Sequence, residues 1–109
     1  MQAEQMKQRI DKLEQCADDA KRAVQSGNAP DDLRQCVQSF HQQSSQAKHQ
    51  PQMNDSTMRD TVVQLEQLAD RAMDACRKAG NNVDGNTQQA VKRMHEEASS
   101  LKHELMQHA

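Results

Sequence analysis

Aromatic side chains are almost absent from this sequence: it has no tryptophan and no tyrosine, and Phe40 is its only phenylalanine. Apolar residues fill 34% of 109 positions, and alanine and methionine supply much of that share. A core of such small side chains stabilises weakly, because burial contributes roughly 25 cal/mol per Å² of apolar surface removed from water. Self-association or a partner would add to it. Long apolar runs are missing too, none exceeding two or three residues, so no segment is expected to span a membrane. The segment MQAEQMKQRID lacks the apolar stretch of a signal peptide, and the expected compartment is the cytoplasm. Glycine occurs only as the isolated Gly27, Gly80 and Gly85, which leaves no glycine-rich loop to cradle a phosphate chain. The three cysteines, an odd number without short paired spacing, fit reduced thiols. Neither sign of charge dominates: 14 basic and 16 acidic residues are interspersed for a formal net charge of -2. Without a basic face, nucleic acid is not an expected partner.

What the chain does have is itself, twice. At a shift of 52, Met6, Leu13, Glu14, Gln15, Ala17, Asp18, Ala20 and Ala23 fall on Met58, Leu65, Glu66, Gln67, Ala69, Asp70, Ala72 and Ala75. At a shift of 54, Gln35, Val37, His41, Ser45, Lys48 and His49 fall on Gln89, Val91, His95, Ser99, Lys102 and His103. The extra two residues enter between the blocks, where a loop absorbs them. The repeat unit of about fifty residues is therefore itself built of two segments.

Both segments have a helical period. Ala3, Met6, Ile10, Leu13, Ala17, Ala20 and Val24 are spaced by alternating threes and fours, which keeps one stripe facing a partner helix. Gly27 stops this helix, and Pro30 opens the next near its first helical position. The second stripe is Leu33, Val37, Phe40, Ser44 and Ala47, ended by Pro51. Asp55 or Ser56 can cap a third helix with the seam Met58, Val62, Leu65, Ala69, Ala72, Cys76 and Ala79, closed by Gly80. A loop from Asn81 to Asn86 leads to the fourth, with Thr87, Val91, Met94, Ala98, Leu101 and Leu105. In an antiparallel hairpin, Ala17 and Ala20 would lie opposite Leu33, Val37 and Phe40, so that large meets small.

The expected fold is all-α: a single domain over residues 1–109, an antiparallel up-down four-helix bundle built from two tandemly duplicated helical hairpins. Repeat 1 covers about residues 3–50, a linker residues 51–55, and repeat 2 about residues 56–108. Charged residues such as Lys7, Asp11, Glu14, Asp18, Lys21 and Arg22 read as solvated faces, within reach of one another along their own helix.

Candidate chemistry is sparse. His41 and His95 flank the core residues Phe40 and Met94, with His49 and His103 eight residues further on. Eight residues rotate a helix by 800°, about 80° from eclipsed, so one helix does not offer both as a metal clamp. A di-iron bundle needs Glu-x-x-His pairs, and no glutamate has histidine three positions later. Ser39 with His41 and Ser99 with His103 lack an acid at a recognisable spacing, so no enzyme and no cofactor are expected. The C-terminal helix does combine His95, His103, Met106 and His108, imidazole and thioether groups that suit copper or zinc. Cys16 and Cys36 could lie at similar heights on adjacent helices, although small buried apolar residues are the better reading. Helix three has an apolar surplus at Val63, Leu68 and Met73, where the first repeat has Asp11, Cys16 and Lys21. A surplus on one copy alone is what a partner surface produces, or what a helix sitting deeper between its neighbours needs. The expected function is thus a non-enzymatic protein–protein interaction module (adaptor, chaperone-like binder or regulator) contacting another protein or a second copy of itself, as in a homodimer, through Val63, Leu68 and Met73. Soft-metal binding or sensing through the histidines and Met106 is the alternative.

Overall fold

The apolar stripes become four α-helices: α1 (Ala3–Ser26), α2 (Asp31–Lys48), α3 (Asp55–Ala79) and α4 (Gly85–Gln107). The computed structural model describes residues 3–27, 29–49 and 55–107, among which there is no strand. Each helix packs on its neighbours in chain order, and α1 also packs on α4, closing the ring. The molecule measures 41 × 24 × 17 Å. Its long dimension is about one helix of this length at ~1.5 Å per residue. Pro51, expected to end the second helix, lies outside the described residues.

Local chemistry sets most helix ends. Pro30 precedes α2 in an extended conformation, its carbonyl accepts from Arg34 N, and Asp31 and Asp32 occupy the first turn, where carboxylates favour the helix dipole. Gly80 follows α3 at φ 57°, a left-handed cap that a Cβ would strain. Gly27 ends α1 for a different reason, since its φ is not positive: a Cβ there would come within 3.2 Å of Asp84 Oδ2 and 3.3 Å of the Ala23 carbonyl. The expected loop from Asn81 to Asn86 is shorter than anticipated. Residues Gly80–Asn82 make a 3₁₀ turn, and α4 already begins at Gly85 because Asp84 Oδ1 accepts from Thr87 N at 2.8 Å.

Thr87 joins the two ends of the ring. It is fully buried, and its hydroxyl donates to the Ala23 carbonyl of α1 at 3.3 Å. Thr87, whose single hydroxyl proton is shared between the Ala23 carbonyl and the Asp84 carboxylate and whose backbone N–H donates to Oδ1, holds the Asp84 carboxyl below its ordinary value of 3.8. A depressed folded-state value means stability that is present above the ordinary value and lost as pH falls through the lowered one. The gap in thermal midpoint between the wild type and Asp84→Ala should therefore be present at neutral pH and close in strong acid.

The core is most of the expected seam, with Ala79 and Leu105 only half-buried against it. Ile10, Leu13, Ala17, Ala20, Val24, Leu33, Val37, Phe40, Val62, Leu65, Ala69, Ala72, Cys76, Val91, Met94, Ala98 and Leu101 are all buried in one cluster. Burial also follows the two shifts through positions that differ in identity: Ile10 and Val62, Leu33 and Thr87, Phe40 and Met94, and Ser44 and Ala98 are each a buried pair. The exception is Met6, which is half-buried where Met58 is buried.

Candidate functional site

Charged side chains on the flanks do not spend themselves along their own helices, contrary to the reading of solvated faces. Asp11 and Glu14 of α1 both meet Lys48 of α2, at 3.7 and 3.1 Å, and Asp18 meets His41 Nε2 at 2.6 Å. The second half repeats the arrangement, with Glu66 on Lys102 at 3.1 Å and Asp70 on His95. Between α1 and α4, Arg9 reaches Glu104 at 2.6 Å and Glu97 at 3.9 Å, and Lys12 reaches Glu97 at 3.3 Å. Among the described residues only Asp74 and Arg77 form an ion pair within one helix. The reason is geometric: flank positions of packed helices face each other, and a partner across the seam is held by the packing itself.

An acid therefore does orient each of these histidines, but it comes from the neighbouring helix, 23 residues away for His41 and 25 for His95. Local spacing could not reveal it. The repeat could have, because Asp18 and Asp70, His41 and His95, Glu14 and Glu66, and Lys48 and Lys102 are all identities of the two shifts. Each histidine–aspartate and lysine–glutamate pair clasps two helices together, and such partly exposed pairs contribute little each.

The residues singled out for soft metal do not converge. Among the described residues, no group of three or more His, Cys, Asp or Glu is placed to hold a metal ion. His95 is occupied by Asp70, Met106 is 48% exposed, and His108 lies outside the described residues. His103 is exposed one turn before Met106. The cysteines are all unbridged. Burial pushes each thiol above its ordinary value, with Glu97 and Asp19 adding to the effect at Cys16, and Asp32 at Cys36. Their charged neighbours differ, Glu97 and Arg93 of α4 for Cys16 but Arg71 of α3 for Cys36. The two thiols thus face different seams, and protonated, half-buried thiols are poor nucleophiles and poor ligands.

The apolar surplus of α3 divides. Val63, Leu68 and Met73 are all half-buried. Their spacing of five turns the helix by about 140° per step, so they do not share one stripe. Leu68 and Met73 pack against the core. Met73 also lines a groove of about 520 Å³ at the α3–α4 end of the bundle, with Cys76, Arg77, Gly80, Gly85, Gln88, Gln89 and Lys92. Thioether and thiol form an apolar floor there, and Arg77 and Lys92 a cationic rim. Neither Gly80 nor Gly85 has a neighbour that a Cβ would meet within 4 Å, so the groove's end is open. Gln88 braces it by donating to the carbonyls of Val83 at 2.9 Å and Gly80 at 3.4 Å. The groove escaped the sequence reading because it depends on how two helix ends and a turn pack.

A second, smaller cavity of about 280 Å³ lies across Gln89 on the α1–α4 seam, lined by Asp19, Arg22, Ala23, Ser26, Asn86, Gln89, Ala90 and Arg93. Among the described residues, no helix is long and apolar enough to cross a membrane. No protein-family model, no curated protein and no solved structure matches the chain.

Proposed function

We propose that this chain is a non-enzymatic helical module acting by protein–protein contact, and that the α3–α4 groove around Met73 is its contact surface. The observation that carries the proposal is the contrast between repeats: Met73 on the groove floor stands where the first repeat has Lys21, Gly85 and Gln88 stand where it has Asp31 and Arg34, and the rim cations Arg77 and Lys92 stand where it has Gln25 and Gln38. A polarisable methionine beside an open groove suits a partner's apolar side chain. Carboxylates flanking that side chain would meet Lys92 and Arg77, the latter already steadied by Asp74 at 3.2 Å.

The scaffold for this surface is, in our reading, an up-down bundle of two duplicated hairpins. Its support is the order of the bridges: residue numbers fall from Asp18 to Glu14 on α1 while rising from His41 to Lys48 on α2, and likewise from Asp70 to Glu66 against His95 to Lys102. Val63 and Leu68, turned away from Met73 around α3, are half-buried outside this groove.

The double variant Val63→Asp, Met73→Lys installs the residues of the first repeat, Asp11 and Lys21, which are themselves half-buried on α1. It should keep its helicity, because a lysine stem can lie along apolar surface with its ammonium in water. It should also lose a protein that co-purifies with the wild type from the source cell. A substantial loss of helicity, at a concentration where the wild type is monomeric, would place these side chains in the core and overturn the reading.

A further inference from the structure

Arg22 of α1 and Arg93 of α4 converge on the 280 Å³ cavity from different helices, and neither has an ion-pair partner among the described residues. Arg9, Lys12, Lys48 and Lys102, by contrast, all bridge helices. Asp19 is the one carboxylate in the lining; Glu97 lies near Arg93 along the seam, but it is engaged by Arg9 and Lys12. Asn86 and Gln89 add amide donors. Asp84 already caps the start of α4, so the cavity's preference comes from the guanidinium groups rather than from the helix end.

The repeat supplies an internal control. The positions equivalent to Arg22 and Arg93 are Asp74 and Ser39, while those of Asp19, Ser26 and Asn86 are Arg71, Lys78 and Asp32. Two cations there stand against two carboxylates, where this seam has two guanidinium groups against one carboxylate.

We propose that this cavity binds a phosphate monoester. Each guanidinium presents a planar fork that engages two acceptors at once, and two forks call for more oxygens than a carboxylate has. A phosphate monoester has three terminal oxygens and a charge of about -1.5 to -2, enough to satisfy both forks and outweigh Asp19. The cavity is on α1 and α4, and this inference stands without the α3–α4 contact surface.

Titration of the ¹⁵N-labelled protein with inorganic phosphate, and separately with a phosphoserine peptide and its unphosphorylated form, tests it by NMR. The side-chain Nε signals of Arg22 and Arg93 and the amide groups of Asn86 and Gln89 should shift and saturate. Both arginines are exposed, so R22Q/R93Q should keep its helicity by circular dichroism. It should bind phosphate at least about tenfold more weakly, as expected for losing hydrogen bonds between charged groups. R22K/R93K, which keeps charge but not the fork, should recover only part, and R71Q on the equivalent seam should bind as the wild type does. A phosphopeptide tighter than inorganic phosphate supports the site with a protein-borne ligand, and equal affinity supports it with a free phosphate. Unchanged affinity in a folded R22Q/R93Q, or unsaturated shifts that reach Arg71 and Lys78 equally, would overturn the proposal.

Discussion

Replacing Phe40 with alanine is expected to destabilise the bundle by about 3–5 kcal/mol, the usual cost of emptying a buried aromatic site. Phe40 is fully buried and is the largest of the fully buried side chains. Around it the core is rich in alanine, and such a core has few long side chains that could swing into the vacated volume. The site should therefore remain a cavity, placing the cost toward the upper part of that range. A small domain with a thin core stands near the bottom of the ~5–15 kcal/mol range of native stabilities, so the loss approaches all of it. Urea unfolding followed by circular dichroism should show a lower midpoint with the same slope, the sign of a change in stability alone. An unchanged midpoint would contradict the burial of Phe40.

Enlarging the alanines should destabilise as well, by a smaller amount. Ala20→Leu and Ala72→Leu each force three extra carbons into a position with no exposed surface, and overpacking of this kind costs about 1–3 kcal/mol. Helices approach closely where alanine faces alanine or where alanine faces a large neighbour, and a branched side chain there pushes two helices apart rather than one rotamer aside. Since Ala20 and Ala72 are related by the shift of 52, matched hairpins predict losses of similar size at the two sites. Similar stability of wild type and both variants would show a loose core. A loss at one site alone would show that the halves pack differently.

The positions in those two predictions were legible in the sequence because a buried stripe on a helix has a fixed period. Leu33, Val37, Phe40, Ser44 and Ala47 are the buried residues of α2, and all five come directly from spacing. Helix ends were legible where one residue dictates the backbone, as at Gly80, and less so at Gly27, whose constraint is its approach to Asp84 across the ring. The bridges were hidden from local spacing, since His41 and Asp18 are neighbours only after two helices pack, although identity of both members between repeats was a usable signal. The two cavities had no such signal. Met73 could be singled out as surplus, but its neighbours Gly85, Gln88 and Lys92 come from the far side of a turn. Likewise Arg22 and Arg93 are paired only by the closure of α1 onto α4.

The central claim, that the α3–α4 groove receives another protein, is tested most directly by site-specific photo-crosslinking in the source cell. A benzoylphenyl group at position 92 places the reactive centre on the groove rim, and the same group at position 42 places it on an exposed part of α2. The account predicts one discrete adduct from position 92, at the mass of this chain plus a single partner or a second copy, with loss of that adduct on adding Met73→Lys and none from position 42. Absence of any adduct at position 92, or the same adducts from both positions, would contradict it.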